Sequence, residues 1–216
     1  MEGINLKISS FLHDIISTIR KYDIDYDSFS LGQLESKEWL VEELYKITKN
    51  LGSIYVLCGW YGTLASMLFL KDWNIKNIRS FDIDDSCWKI ADSINRTMLS
   101  DGWKFKATTK DIFNLNFEND KFNLYSYLKE KWFEVCETPD TIINTSCEHI
   151  DSSWFKKVPS GKIVVLQSND FLEGIGHINC MTDLDEFKLT YPMSSIYYKG
   201  SMTLSKYNRF MLIGIK

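Results

Sequence analysis

Hydrophobic positions in the first fifty residues recur every three or four places. Ile8, Phe11, Leu12, Ile15, Ile16 and Ile19 fall on one helical face, which predicts a helix packed by that face. A polar break over 21–30 leads to a second predicted helix over 33–48, with Leu40, Val41, Leu44 and Ile47 as its stripe and residues 50–52 as its stop. At Ser53 the period changes. Residues 54–57 form a short unbroken apolar run closed by Cys58 and Gly59, the pattern of a strand buried on both faces. Further strands are predicted at 77–81, 103–107, 141–144 and 162–167. Helices are predicted at 63–70, 86–99 and 125–135, with a short one near Trp154. Finally, 195–204 and 207–215 are β-rich and too close together for a crossover, so they predict an antiparallel hairpin on one sheet edge.

Strands alternating with helices imply an α/β fold: a mostly parallel sheet with helices on both faces and a C-terminal antiparallel hairpin. Residues 1–50 then form an N-terminal helical appendage or lid, and residues 51–216 the main domain. The 216 residues are 44% hydrophobic and 25% charged, enough for a full core without disulfides or metal as staples. The net charge of −4 provides no strongly basic footprint, which makes nucleic acid the less expected partner. No apolar run approaches the roughly 20 residues that span a bilayer, so no membrane partner is expected. The stretch MEGINLKISS lacks the charge and apolar pattern of a secretory leader. Cys58, Cys87, Cys136, Cys147 and Cys180 are odd in number and form no CxxC pair, and they read as reduced thiols of a cytoplasmic protein.

Three elements carry candidate chemistry. The run Cys58-Gly59-Trp60-Tyr61-Gly62 follows a buried strand and opens a helix. Glycine there permits a tight turn and close approach of backbone to a ligand. Asp82 lies about 20 residues further on, at the end of the next strand, where a carboxylate can accept both hydroxyls of a ribose. Ile83 follows it, and Asp84 or Asp85 is left to cap the next helix. Asp111 and Ile112, just past the third strand, can take an exocyclic N–H and a ring face of adenine. All three elements fall at carboxyl ends of successive strands, where open parallel sheets bind ligands.

With the closing hairpin and Asn144 after the fourth strand, the chain over about 52–216 resembles the class I S-adenosylmethionine-dependent methyltransferases. The resemblance implies that the backbone from Gly59 through Trp60 and Tyr61 to Gly62 lies along the methionine part of S-adenosylmethionine. It implies that Asp82 holds the ribose, and that Ile83, Asp111 and Ile112 serve the adenosine. Asn144 would face the transferring methyl group. The chain departs from the family by lacking an acid in its first strand, where Tyr55 and Val56 stand, and by placing Trp60 and Tyr61 between only two glycines. Trp60 or Tyr61 would then wall the site and face the sulfonium.

Asn144-Thr145-Ser146-Cys147-Glu148-His149 keeps the asparagine of amino methyltransferases without the Pro-Pro-aromatic that follows it in those acting on bases. Glu148 and His149 are the general-base candidates by type and place. Cys147, Asn169, His177 and Lys37 are candidate acceptor contacts, Lys37 from the second N-terminal helix. Cys147, His149, His177 and Cys180 form only a weak version of a zinc pattern, and no metal is expected. The resulting expectation is methyl transfer to a small or medium-sized acceptor. The alternatives are other S-adenosylmethionine chemistry, such as a lyase reaction, and a non-catalytic domain that binds the cofactor and regulates a partner.

Overall fold

The computed structural model describes residues 7–216, so the first six residues of the stretch read above for a leader lie outside the described residues. Helices α1 (Ile8–Ile19) and α2 (Leu31–Ile47) precede β1 (Asn50–Leu57). Then follow α3 (Thr63–Phe69), β2 (Asn74–Asp82), α4 (Cys87–Ile94), α5 (Arg96–Ser100) and β3 (Phe105–Thr109). An inserted pair, β4 (Asp120–Ser126) and β5 (Lys131–Glu137), leads to β6 (Thr141–Asn144) and β7 (Ile163–Asn169). Helix α6 (Leu184–Thr190), β8 (Ser195–Thr203) and β9 (Asn208–Ile215) complete the chain. Seven strands form one sheet in the order β3-β2-β1-β6-β7-β9-β8. Only β9 runs against its neighbours; the first five strands of that order are parallel.

The unbroken apolar runs sort by parity, because successive side chains of a strand point to opposite faces. Ile54, Val56, Ile143, Val165, Met211 and Ile213 face one core, which includes Leu40, Val41 and Leu44 of α2. Tyr55, Leu57, Ile142, Val164, Leu166 and Leu212 face the other, closed by Trp154, Phe155, Phe187 and Tyr191. Helix α2 therefore shares the core of the sheet.

Three expectations fail locally. Helix α1 lies where its period predicts, but Ile8, Leu12 and Ile16 are exposed and Asp14 and Thr18 are buried. Asp14 accepts from Arg96 Nη2 (2.8 Å), Thr97 N (3.0 Å) and Thr97 Oγ1 (2.7 Å), so ion pairing and hydrogen bonds set which face of α1 docks. The predicted helix over 125–135 is instead the end of β4, a turn and most of β5, an antiparallel pair. Phe122 and Leu124 are buried while Lys121 and Asn123 are exposed, a period of two that begins upstream of the aromatic run. Arg79 fixes this pair to the sheet by two bonds to Glu137, at 2.9 and 2.8 Å, and one to the Trp103 carbonyl at 2.7 Å. Trp103 itself sits in a left-handed turn (φ 61°) before β3. Helix α6 was not anticipated; Asp183 caps it by accepting from Asp185 N and Glu186 N.

Candidate functional site

Because β1, β2, β3, β6 and β7 are parallel, their carboxyl ends meet along one sheet edge, and the reversed β9 brings its first residues there too. The turn after β1 holds Cys58 and Trp60 at φ 51° and 47°, left-handed conformations that cost a non-glycine residue about 1–3 kcal/mol each. The surrounding structure enforces them. Gly59 N donates to Phe81 O (2.9 Å), Trp60 N to Asp82 Oδ2 (2.8 Å) and Gly62 N to Gly59 O (2.8 Å). Asn95, where the predicted helix over 86–99 breaks, donates from Nδ2 to Gly62 O (3.1 Å). A Cβ at Gly59 would meet Ser80 Oγ at 2.0 Å, and Gly62 is left-handed at φ 69°. Both glycines are thus required by the turn itself, whether or not a ligand lies against it.

Asp82 links the turn to β2. Its Oδ1 accepts from Asp84 N (3.1 Å), its Oδ2 from Trp60 N. Partial burial pushes its pKa up, against the pull of those N–H groups. Asp84 takes Ser86 N (2.8 Å) at the start of α4, which holds its carboxyl below the usual range, while Asp85 accepts from Thr109 Oγ1 (2.8 Å). Ile83, between them, is 73% exposed. Asp111 accepts Phe113 N on Oδ1 (2.9 Å) and starts a tight helical turn. Ile112 is buried in the second core, so the exposed apolar side chain beside Asp82 is Ile83. A cleft of about 510 Å³ opens beside the end of β3, lined in part by Asp85, Thr109, Lys110, Phe122 and Trp132. The rings of Trp60 and Tyr61 lie 5.4 Å apart, and Tyr61 is buried with Ile24, Ile90 and Ile94. Its hydroxyl accepts from Asp25 N at 3.4 Å, so the segment between α1 and α2 packs over the turn.

The other half of the edge is more polar than its burial would suggest. Asn144 is fully buried; its Oδ1 accepts Ser146 N (2.8 Å) and its Nδ2 has no partner among the described residues. Glu148 is buried as well. Its Oε1 accepts from Asn169 Nδ2 (2.8 Å) and from Arg209 Nη1 (2.8 Å), while Oε2 has no partner among the described residues. Arg209 also donates to the Thr145 carbonyl through Nη2. Two donors thus hold the carboxylate of this general-base candidate through a single oxygen. Cys147, read as a candidate acceptor contact, is fully buried in the second core, its thiol near Asn144 O (3.8 Å), and burial raises its pKa well above the ordinary value. Asn169 spends both ends of its amide, on Glu148 and on Phe171 N (3.0 Å).

Lys37 reaches the same region from α2. It is buried, donates to Gln33 Oε1 (2.6 Å), and its pKa falls to about 7, by desolvation first and by the Arg209 charge second, against the pull of Asp27 and Glu148. Gln167 ties α2 to the sheet, donating to Ser36 O (2.8 Å). His149 is exposed and His177 half-buried, with ring centroids 4.5 Å apart. Sequence reasoning missed Arg209. Its signal was a lone cation heading the apolar run Phe210-Met211-Leu212-Ile213, which has to find a buried partner.

No family model matches the chain, and no curated protein matches it either. Solved structures do. The magnesium protoporphyrin IX methyltransferase of Synechocystis PCC 6803, with S-adenosylhomocysteine bound, aligns over 96% of this chain and 95% of its own at 11% identity, with a TM-score of 0.61. The N-methyltransferase NodS of Bradyrhizobium japonicum WM9, in complex with S-adenosylhomocysteine, aligns over 94% and 98% at 12% identity, with a TM-score of 0.60. A putative sarcosine dimethylglycine methyltransferase of Galdieria sulphuraria aligns over 85% and 86% at 12% identity, with a TM-score of 0.59. At such identities the likeness is one of fold: the chain has the Rossmann-like class I methyltransferase fold.

Proposed function

We propose that the chain is an S-adenosylmethionine-dependent methyltransferase acting on a small or medium-sized acceptor. The observation that carries this reading is the convergence of the strained Cys58–Gly62 turn, Asp82 and Asp111 on one edge of a sheet with this strand order. The S-adenosylhomocysteine held by two of the fold neighbours supports the choice of cofactor.

The residues at that edge fit the group. Each Asp82 oxygen accepts one backbone N–H and keeps a lone pair for a ribose hydroxyl. Exposed Ile83 offers an apolar face to adenine, and the second oxygen of Asp111 is available to its exocyclic N–H. The Gly59–Gly62 backbone follows the methionine part, with Trp60 as a wall. The orphan Nδ2 of Asn144 is a donor held at the methyl side with nothing yet to bind. S-adenosylmethionine supplies the methyl group on a sulfonium and leaves as the thioether. The chain must align an acceptor lone pair with that methyl group, exclude water and dispose of the acceptor proton. Lys37, Asn169 and His177 stand on the acceptor side. Glu148, held through Oε1 by Arg209 and Asn169, and His149 stand on the same side of the edge and would orient the acceptor.

The acidic balance and the missing basic arm favour a metabolite over nucleic acid. Titration calorimetry with S-adenosylhomocysteine tests the cofactor assignment; no heat and no thermal shift at millimolar ligand would sink it. Product analysis after incubation with S-adenosylmethionine and candidate acceptors then separates the activities. S-adenosylhomocysteine marks transfer, methylthioadenosine marks cleavage, and binding with neither marks a regulatory domain.

A further inference from the structure

We infer that Glu148, His149 and His177 form a binding site for a divalent transition-metal cation of the zinc class. One carboxylate oxygen and one nitrogen from each ring lie within 4.8 Å of one another. The rings stand nearly perpendicular, at 85°. Each has already committed one nitrogen: His149 Nδ1 lies 3.2 Å from Gly176 O, and His177 Nδ1 lies 2.6 Å from Phe171 O. A carbonyl only accepts, so Nδ1 carries the proton in both rings and Nε2 keeps its lone pair. An Nδ1–H anchored on a carbonyl is how proteins orient a metal-binding imidazole.

The second, independent observation is Glu148 Oε2. The side chain is buried, Arg209 and Asn169 share Oε1, and Oε2 has no partner among the described residues. A buried carboxylate oxygen without a partner is costly, and a cation beside it removes the cost. The two loops that carry the ligands are also joined. Ile178 N and Asn179 N both donate to Glu148 O at 2.9 Å, and Asn179 Nδ2 donates to Cys147 O (3.2 Å) and Ile150 O (3.0 Å). Gly174 leaves room for the His177 ring, which a Cβ there would meet at 2.4 Å.

Two imidazoles and one carboxylate suit zinc-like ions over magnesium or calcium, and three protein ligands leave one position open. Ligand atoms of a tetrahedral site lie about 3.3 Å apart, so a pair near the 4.8 Å limit draws together when the ion binds. The thiols are not part of the set: Cys147 is buried in the core, and Cys180 Sγ lies 3.4 Å from His177 Nδ1, the committed side of that ring. The proposed site departs from the expectation of no metal and uses a different set from the weak Cys147, His149, His177, Cys180 pattern.

The test uses the full chain, stripped with a chelator, without cofactor or acceptor, so the site stands or falls apart from the methyl-transfer reading. Zinc calorimetry is expected to give one ion per chain at micromolar affinity, and cobalt(II) the intense visible bands of a tetrahedral site. His149→Gln and His177→Ala should each weaken zinc binding at least tenfold with unchanged circular dichroism, and Cys180→Ser should leave it unaltered. No zinc binding at millimolar concentration, wild-type zinc affinity in both histidine variants, or magnesium binding as tightly as zinc would overturn the proposal.

Discussion

Two arginine–glutamate pairs invite comparison. Arg79 and Glu137 tie the β4–β5 pair to β2, and the guanidinium is fully used: Nε and Nη2 grip the carboxylate while Nη1 takes the Trp103 carbonyl. Arg209 and Glu148 tie the start of β9 to the turn after β6, and they are left incomplete, with Arg209 Nε and Glu148 Oε2 buried and unpartnered among the described residues. The first pair has the economy of a structural clamp. The second keeps polar capacity at the sheet edge where the ligand elements converge, and Asn144 Nδ2 nearby does the same. A buried polar group left unsatisfied calls for an explanation, and the cation inferred above would supply one for Glu148 Oε2.

The sharpest way to break this contrast is to remove each cation. Arg209→Met leaves Glu148 charged and buried, which should cost about 3–5 kcal/mol in urea denaturation. Arg79→Met should cost less, because the Glu137 side chain is 21% exposed and can rehydrate. Equal losses would mean that the two pairs do the same job. Adding Glu148→Gln to Arg209→Met should recover part of the loss, since the unpaired charge is gone.

A smaller effect is expected at Asp82. Asp82→Ala should weaken S-adenosylhomocysteine binding by about 1.5–3 kcal/mol, roughly tenfold to 150-fold in Kd. Asp84→Ala, whose carboxylate serves the start of α4, should barely change it. Calorimetry on both variants decides which acid has spare capacity for a ligand.

Lys37 gives the finest discrimination. Its pKa in the folded chain, about 7, lies below the ordinary lysine range, so between those values the unfolded chain binds more protons than the folded one. Stability should therefore be lowest below pH 7 and rise as pH increases toward 10, by up to about 1.4 kcal/mol per pH unit. Lys37→Met should flatten that slope and raise stability at neutral pH. An unchanged slope in urea titrations at pH 7, 8 and 9 would show that Lys37 is not the buried cation of this edge.

The sequence made most of the sheet legible, because five parallel strands and a closing hairpin leave apolar runs and turn glycines that are local in the chain. It also placed the turn residues Gly59 and Gly62, Asp82, Asp111 and Asn144 on one edge, because each follows a strand of a predicted parallel sheet. It misread 125–135, where a row of aromatic residues fits a helix or a strand about equally until Phe122 and Leu124 are seen to face a core. It misjudged α1 because spacing finds an apolar face but not what lies opposite it, and here Asp14 found Arg96 and Thr97.

What the amino-acid order determined by itself was periodicity: which segments are strands, where the chain must turn, and which acids fall at strand ends. Those follow from local sterics and from side chains alternating along a strand. Only the tertiary structure decided how the polar groups pair. Arg209 reaches Glu148 across 61 positions, and His177 meets His149 across 28, because β9 turns back between β7 and β8 and one loop hydrogen-bonds onto another. Such encounters depend on the packing of the whole sheet, and no short-range pattern encodes them.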